Sequence, residues 1–212
     1  SFYLGVKSVC DSATMEVKYT NSWASFDLEK ECAEQLIADG CVLISQHADT
    51  TGAPTACEAK KVPCVGYNID MIPTAPDAAL TSATINWGPY YTYAVQSVIE
   101  GTAIDTDWSK GVKDGADAIT ELNDKTVAKG TKEKVEEAQK GIEDGTIHVF
   151  DTSKFTVGGK TLEELVESGD EDATKLQSYI KDGYFHESDV AGGMTSAPAF
   201  TFIIDGIDSI TK

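Results

Sequence analysis

Aromatic, acidic and imidazole side chains recur in the sequence just after short apolar runs. The members of this set are Trp23, His47, Asp49, Asp70 and Trp87. An indole can stack on a flat ring, whereas carboxylate and imidazole groups can hydrogen-bond the edge of that ring or the hydroxyls of a sugar. A few convergent polar groups over an apolar floor are typical of a small-molecule site. The set therefore predicts ligand binding.

The aromatic members and the histidine each have a structural alternative. Trp23 precedes a predicted helix and could pack on its surface as a staple. His47 could be a loop histidine whose hydrogen bonds are satisfied, and Trp87 could serve packing alone. These alternatives stay open at the level of sequence.

Helix capping is the alternative for the acidic members. Asp49 precedes a predicted helix, and Asp27 stands where another begins, so either carboxylate could cap its helix. We favour the cap for Asp27. Asp70 is harder to explain in this way, because Pro73 and Pro76 interrupt the segment that follows it. We therefore expect Asp70 to face the ligand.

Signatures of the common catalytic sites are missing from the sequence. There is no GxSxG nucleophile elbow, no GxGxxG or GxxxxGK[ST] phosphate loop and no HExxH metal motif. The three histidines, His47, His148 and His186, lie far apart along the chain. We therefore expect a protein that is not an enzyme and that holds neither a metal nor a cofactor.

The five cysteines include no CxxC pair, which argues against a zinc or redox site. Cysteine also behaves as a small hydrophobic side chain, so we expect these residues mainly in the core. Cys41 and Cys64 each open a predicted strand, and the sequence leaves open whether they form a disulfide.

Charge excludes two classes of partner. The formal net charge is −18, with 35 acidic and 17 basic side chains. A field of this sign repels nucleic acid and anionic lipid. The sequence contains neither an apolar run of spanning length nor a secretory leader pattern, and we interpret it as a piece of a longer protein.

Strand and helix patterns alternate through the first hundred residues. Strands are predicted at residues 15–20, 41–46, 63–68 and 80–85, and helices at residues 27–39, 51–61 and 89–100. Short connections between alternating elements indicate parallel strands with right-handed crossovers. The predicted fold class is therefore an α/β doubly wound parallel sheet, in which ligands bind at the carboxyl ends of the strands.

The pattern loosens after Gly101. We predict loops or short strands at 108–119, a helix at 131–144, a strand at 147–150, a hairpin at 157–160, helices at 162–167 and 173–181, a loop at 191–198 and a strand at 200–205.

The motifs at the strand ends, taken together, resemble a known family. They are residues 19–23 (YTNSW), 46–50 (QHADT), 66–71 (GYNIDM), 80–82 (LTS) and 86–91 (NWGPYY), in this order and at matching separations. The sequence is similar, from residue 1 to about Phe150, to the basic membrane protein family of ABC-transporter substrate-binding lipoproteins, which includes purine-nucleoside receptors.

That resemblance implies a type I periplasmic binding protein fold with two lobes that close over the ligand. It implies that Trp23 stacks on a purine, that Asp70 meets the polar edge or the ribose, and that Asn68 of the same motif belongs to the binding residues. Residues 1–150 would form the second lobe, and residues 151–212 an extension that completes it. Residues 80–101 would pack on a first lobe that precedes Ser1.

Nucleoside-binding members carry a lysine soon after the Thr-Ser pair, where this chain has Ala83, Thr84, Ile85 and Asn86. We therefore expect a free purine base such as adenine rather than a nucleoside. The resemblance further implies an ABC permease partner and an extracytoplasmic lipoprotein. The isolated piece could form a homodimer. The main alternative is the effector-binding domain of a regulator, and a doubly wound enzyme is a third.

Overall fold

A computed structural model describes residues 1–186 and 200–210. The chain divides into two compact units. The first unit takes Ser1–Val17, Ala103–Ser109 and Asp144–Ser209, and the second takes Lys18–Thr102 and Lys110–Glu143. All six predicted ligand-binding residues belong to the second unit.

The helices of the described residues are α1 (Phe2–Val9), α2 (Phe26–Ala38), α3 (Gly52–Lys60), α4 (Gly88–Glu100), α5 (Thr131–Glu143), α6 (Leu162–Glu167) and α7 (Glu171–Leu176). The strands are β1 (Met15–Lys18), β2 (Ile44–Ser45), β3 (Cys64–Tyr67), β4 (Ala79–Ile85), β5 (Asp117–Ile119), β6 (Ile180–Lys181), β7 (Tyr184–Phe185) and β8 (Ile207–Ile210).

A four-stranded sheet in the order β2-β3-β4-β5 organises the second unit. The pairs β2–β3 and β3–β4 are parallel, and β5 joins β4 in antiparallel register. The α/β class with parallel strands is thus confirmed. The carboxyl ends of β2, β3 and β4 meet at the same edge of the sheet, because the three strands run in one direction.

Small side chains fill the core under this sheet. Its buried members are mostly alanines, together with Ile44, Met71 and the two cysteines Cys57 and Cys64. The Cys57 thiol donates a hydrogen bond to Cys64, and this bond together with burial raises the pKa of the Cys57 thiol well above its usual range. None of the five cysteines forms a disulfide, so no such bond joins Cys41 to Cys64.

The helices predicted in the second unit agree with the structure to within about two residues. The end of α2 explains why the next predicted strand, residues 41–46, shrinks to Ile44–Ser45. The amide of Cys41 donates to the carbonyl of Leu36 at 3.0 Å, beside Gly40 with φ of 105°. This is the hydrogen-bond pattern that closes a helix, so Cys41 belongs to the helix end rather than to the sheet.

The first unit, which contains short sheets, differs more from the predicted secondary structure than the second unit does. The strand predicted at 147–150 is wrong, because residues 149 and 150 form a turn and the His148 ring stacks on Tyr184 at 3.6 Å. The strand predicted at 200–205 is also wrong. There Phe200 packs edge-on against Phe155, and Gly206 turns the chain with φ of 92° before β8 begins.

Other predictions for the first unit are confirmed in part. The helix at 162–167 is α6, which opens with a capping box between Thr161 and Glu164. The hairpin at 157–160 is a tight turn in which Val157 and Lys160 exchange backbone hydrogen bonds. The helix predicted at 173–181 ends at Leu176 and gives way to a 3₁₀ turn and β6. Residues 191–198 lie outside the described residues.

Candidate functional site

The loops after β2 and β3 form the centre of the candidate site. We call residues 46–51 the β2 loop. The amide of Gln46 donates to the carbonyl of Val65 at 3.3 Å, so the β2 loop begins beside β3. One strand further, the Asn68 amide donates to the Ala83 carbonyl at 2.7 Å, and the Thr84 hydroxyl donates to the Asn68 carbonyl at 2.7 Å. Neighbouring strand ends therefore present His47, Asp49, Asn68 and Asp70 along one edge.

Trp23 reaches this edge by a route that differs from the predicted one. The strand that precedes it, β1, pairs with β8 in a separate two-stranded sheet, so the prediction that the strand at residues 15–20 belongs to the parallel sheet is wrong. The amide of Asp49 nevertheless donates to the Trp23 carbonyl at 2.9 Å. This bond joins residues 23–25, which we call the Trp23 segment, to the β2 loop.

The Trp23 side chain is 84% exposed. A tryptophan used as a packing staple would be covered by its helix, so the structure disfavours that alternative. An exposed indole at a strand-end edge is a surface on which a planar ligand can stack.

The two helix-cap alternatives also fail. The N-cap residue of α3 is Thr51 rather than Asp49, and α2 begins after Ser25, with Asp27 inside its first turn. Asp27 thus lies in the helix, where its charge complements the positive end of the helix dipole. The exposed Asp49 carboxylate is free of a capping role and stands beside the loop histidine.

His47 and Asp70 lie on the exposed side of the same edge. The His47 ring packs on Tyr67 with the centroids 4.8 Å apart and the planes tilted by 45°. One carboxylate oxygen of Asp70 accepts from the Ile72 amide at 2.9 Å. A carboxylate has capacity for further donors, so this turn bond is compatible with ligand contact.

Trp87 follows β4 and stands at the start of α4. Its ring is 52% exposed and stacks on Tyr91 at 6.0 Å, one turn along the helix. This stack places the ring against α4, so packing accounts for part of its role.

Sequence reasoning missed one member of this region, Glu29. Its side chain is 2% exposed, and its carboxylate accepts hydrogen bonds from Ser25 and Thr50. The spacing of four residues to the buried Ala33 is the signal that could have found it, because this spacing places Glu29 on the buried face of α2.

A separate cavity of about 290 Å³ lies in the first unit, lined by residues that include Tyr3, Lys7, Phe155 and Asp205. It contains none of the predicted ligand-binding residues. Among the residues that the structure describes, no group of three or more His, Cys, Asp or Glu could hold a metal ion. In the same part of the chain, no helix is long and apolar enough to cross a membrane.

The fold is that of α/β solute-binding proteins. A solute-binding protein of an ABC transporter system from Conexibacter woesei superposes with a TM-score of 0.52 at 19% identity, over 69% of this chain and 49% of that one. A transcriptional activator of the comK gene from Bacillus halodurans gives 0.54 at 17% identity, over 61% and 46%. At such identities the likeness concerns the fold alone.

The chain belongs to the family of ABC transporter substrate-binding proteins described as PnrA-like, whose model matches residues 1–151. This confirms the resemblance and its extent. It is a family of binding proteins, not of enzymes.

Two relatives add detail. A purine-binding protein of Brucella abortus is 31% identical over 150 residues, which cover 71% of this chain and 42% of that protein. A putative ABC transporter glucose-binding protein of Haloferax volcanii is 29% identical over 153 residues, covering 72% and 39%. The chain thus spans about two fifths of the length of these curated relatives.

Proposed function

We propose that this chain supplies purine-binding residues of an extracytoplasmic receptor for an ABC importer. The observation that carries the proposal is the exposed indole of Trp23. The backbone carbonyl of this residue accepts a hydrogen bond from the Asp49 amide, in the loop that follows β2. The family of the chain and the purine-binding relative from Brucella support it.

Stacking and edge recognition divide between different residues. The Trp23 face supplies the apolar platform, since base–aromatic stacking is tolerant of ring substituents. His47, Asp49, Asn68 and Asp70 supply donors and acceptors for the polar edge of the ring. Both kinds of contact are needed, because a purine is apolar on its faces and polar around its rim.

A free base is favoured over a nucleoside. The segment that follows the Thr-Ser pair carries no lysine, and its polar groups are already engaged. The Thr84 hydroxyl donates to Asn68, and the Asn86 side chain bonds the Gly115 carbonyl and the Gly88 amide. These bonds leave few groups for ribose hydroxyls.

The proposal includes a two-lobed architecture for the complete protein. Residues 1–150 would be one lobe of a longer lipoprotein, residues 151–212 would complete it, and residues 80–101 would meet the other lobe. An exposed apolar stripe along α4 supports this, with Tyr91, Val95, Val98 and Ile99 open to solvent. Such a stripe needs an apolar cover, which the other lobe or, for the isolated chain, a second copy would provide.

Isothermal titration calorimetry tests the ligand. Adenine, guanine, hypoxanthine and their nucleosides are titrated into the complete two-lobed protein that contains this chain and into its Trp23→Ala variant. Loss of the stack should weaken binding by roughly 2- to 12-fold, beyond the contribution of lost contact area. Val42→Ala is the control, because this apolar side chain is 81% exposed but precedes β2 rather than following it. Absence of heat with every purine would refute the assignment.

A sugar is the second candidate ligand, favoured by the putative glucose-binding relative. Glucose in the same titration distinguishes a sugar receptor from a purine receptor. Heat with glucose and none with purines would identify the ligand as a sugar. The effector domain of a regulator is supported by fold alone. A helix-turn-helix in the complete protein would favour it over a transport receptor.

A further inference from the structure

We infer that Glu29 is a positioning residue that holds the β2 loop and the Trp23 segment in register for the ligand. The inference rests on the proposed function, because it concerns the same site. It adds a residue that does not itself meet the ligand, since the Glu29 side chain is 2% exposed.

The Glu29 carboxylate joins two separate segments. One oxygen accepts from the Ser25 amide at 3.1 Å, two residues beyond Trp23. The other accepts from the Thr50 amide at 3.2 Å and from the Thr50 hydroxyl at 2.6 Å, one residue beyond Asp49. A single side chain thus fixes the distance between the stacking residue and the acidic loop.

The charge of Glu29 suits this position. A buried carboxylate is costly unless donors surround it. Here the donors come from the residue that precedes α2 and from the turn that leads into α3, where the helix dipoles favour a negative charge. Thr50 extends the network, because its hydroxyl oxygen accepts from the Gly52 amide at 3.1 Å.

Neutral bonds support the same loop without replacing Glu29. The Gln46 side chain donates to the carbonyls of Ala48 at 3.1 Å and Thr50 at 2.9 Å, which closes the loop on itself. The bond from Asp49 to the Trp23 carbonyl links the two segments at one point only. Glu29 is the charged link, and charge-assisted hydrogen bonds are the stronger kind.

Glu29→Gln is the test variant, because glutamine keeps the volume but has one acceptor oxygen in place of two. Because that one oxygen can serve either Ser25 or Thr50, amide hydrogen exchange on the full chain should show at least one of these two amides exchanging about tenfold faster or more. The Cys64 amide, which donates to Ala78 in the core, should exchange as before. Glu31→Gln changes an exposed position on the same helix and is the matched control. It should leave the exchange of the Ser25, Thr50 and Cys64 amides unchanged.

Unchanged exchange at both Ser25 and Thr50 in Glu29→Gln would overturn the inference, as would a uniform increase across the second unit. If that variant does not fold, Thr50→Val removes the hydroxyl bonds to Glu29 and from the Gly52 amide but keeps the Thr50 amide bond, and should accelerate exchange confined to residues 46–52. Exchange that stays unchanged in Thr50→Val, or spreads through the unit, counts against the inference.

Titration of the complete two-lobed protein with adenine gives the functional readout. Glu29→Gln should bind adenine at least about tenfold more weakly, whereas Glu31→Gln should match the unaltered chain. If Glu29→Gln binds as well as the unaltered chain does, the positioning role is refuted. If the unaltered chain binds no purine, the proposed function fails, while the exchange data still decide whether Glu29 orders the loop.

Discussion

Gly52, the first residue of α3, lies where that helix meets α2. A Cβ atom added at this position would stand 2.3 Å from the Phe26 carbonyl oxygen and 3.0 Å from both the Glu29 Cβ and the Lys30 amide nitrogen. Two of these neighbours are backbone atoms that no rotamer change can move. Gly52→Ala should therefore push α3 away from α2, by roughly 1 Å if an ordinary contact distance is to be restored.

The expected cost combines two opposing effects. Overpacking a close contact costs about 1–3 kcal/mol, whereas alanine recovers about 0.5–1 kcal/mol of helix propensity relative to glycine. Taking the middle of each range, the net loss for Gly52→Ala should be about 1 kcal/mol, or roughly 2–4 °C in Tm. Because the start of α3 carries the network of Thr50 and Glu29, purine binding should weaken as well.

Thermal and urea unfolding followed by circular dichroism measure this loss. Gly111→Ala is the control in the same unit, since its added Cβ would meet nothing closer than an Asp117 oxygen at 3.8 Å. We expect that control to stay within about 0.5 kcal/mol of the unaltered chain. If Gly52→Ala unfolds at the same midpoint as Gly111→Ala, the close approach of α2 and α3 is refuted.

Three further predictions concern the rest of the chain. Gly5→Ala, at an exposed helical position with open space around it, should raise stability by about 0.5–1 kcal/mol in the same unfolding assay. A thiol reagent should modify the exposed Cys10 quickly and the buried Cys57 and Cys64 only on unfolding; fast modification of either buried thiol would contradict the core assignment. Bonds from Thr156 and the amides of the 158–159 turn lower the pKa of Asp205, so this carboxylate stabilises the fold above about pH 4 and loses that effect as the pH falls. Unfolding of Asp205→Asn should therefore depend less on pH between about 2 and 5, and an unaltered pH dependence would refute the role.

Local patterns account for the parts that the sequence predicts well. The helices α2, α3 and α4 follow from apolar spacing, a Pro near a helix start and Gly just beyond two helix ends. The family could also be predicted from the sequence, because several short motifs in a fixed order are specific to a family, whereas one motif alone is not. Trp23, His47 and Asp70 were identified as ligand candidates from sequence, and their role remains a prediction.

Long-range pairing accounts for what the sequence does not predict. An apolar run such as residues 147–150 or 200–205 becomes a strand only where a partner is free to bond it, and the partner is set by the whole chain. For the same reason the strand at residues 15–20 was predicted to belong to the parallel sheet, although β1 pairs with β8.

The amino-acid sequence by itself determined the α/β class, the family and the residue types at the strand ends, since these depend on local periodicity and motif order. Only the tertiary structure decided how Trp23 meets Asp49, and that the Glu29 carboxylate reaches Thr50. These contacts join residues more than twenty positions apart, and no local pattern encodes which side chain closes such a gap.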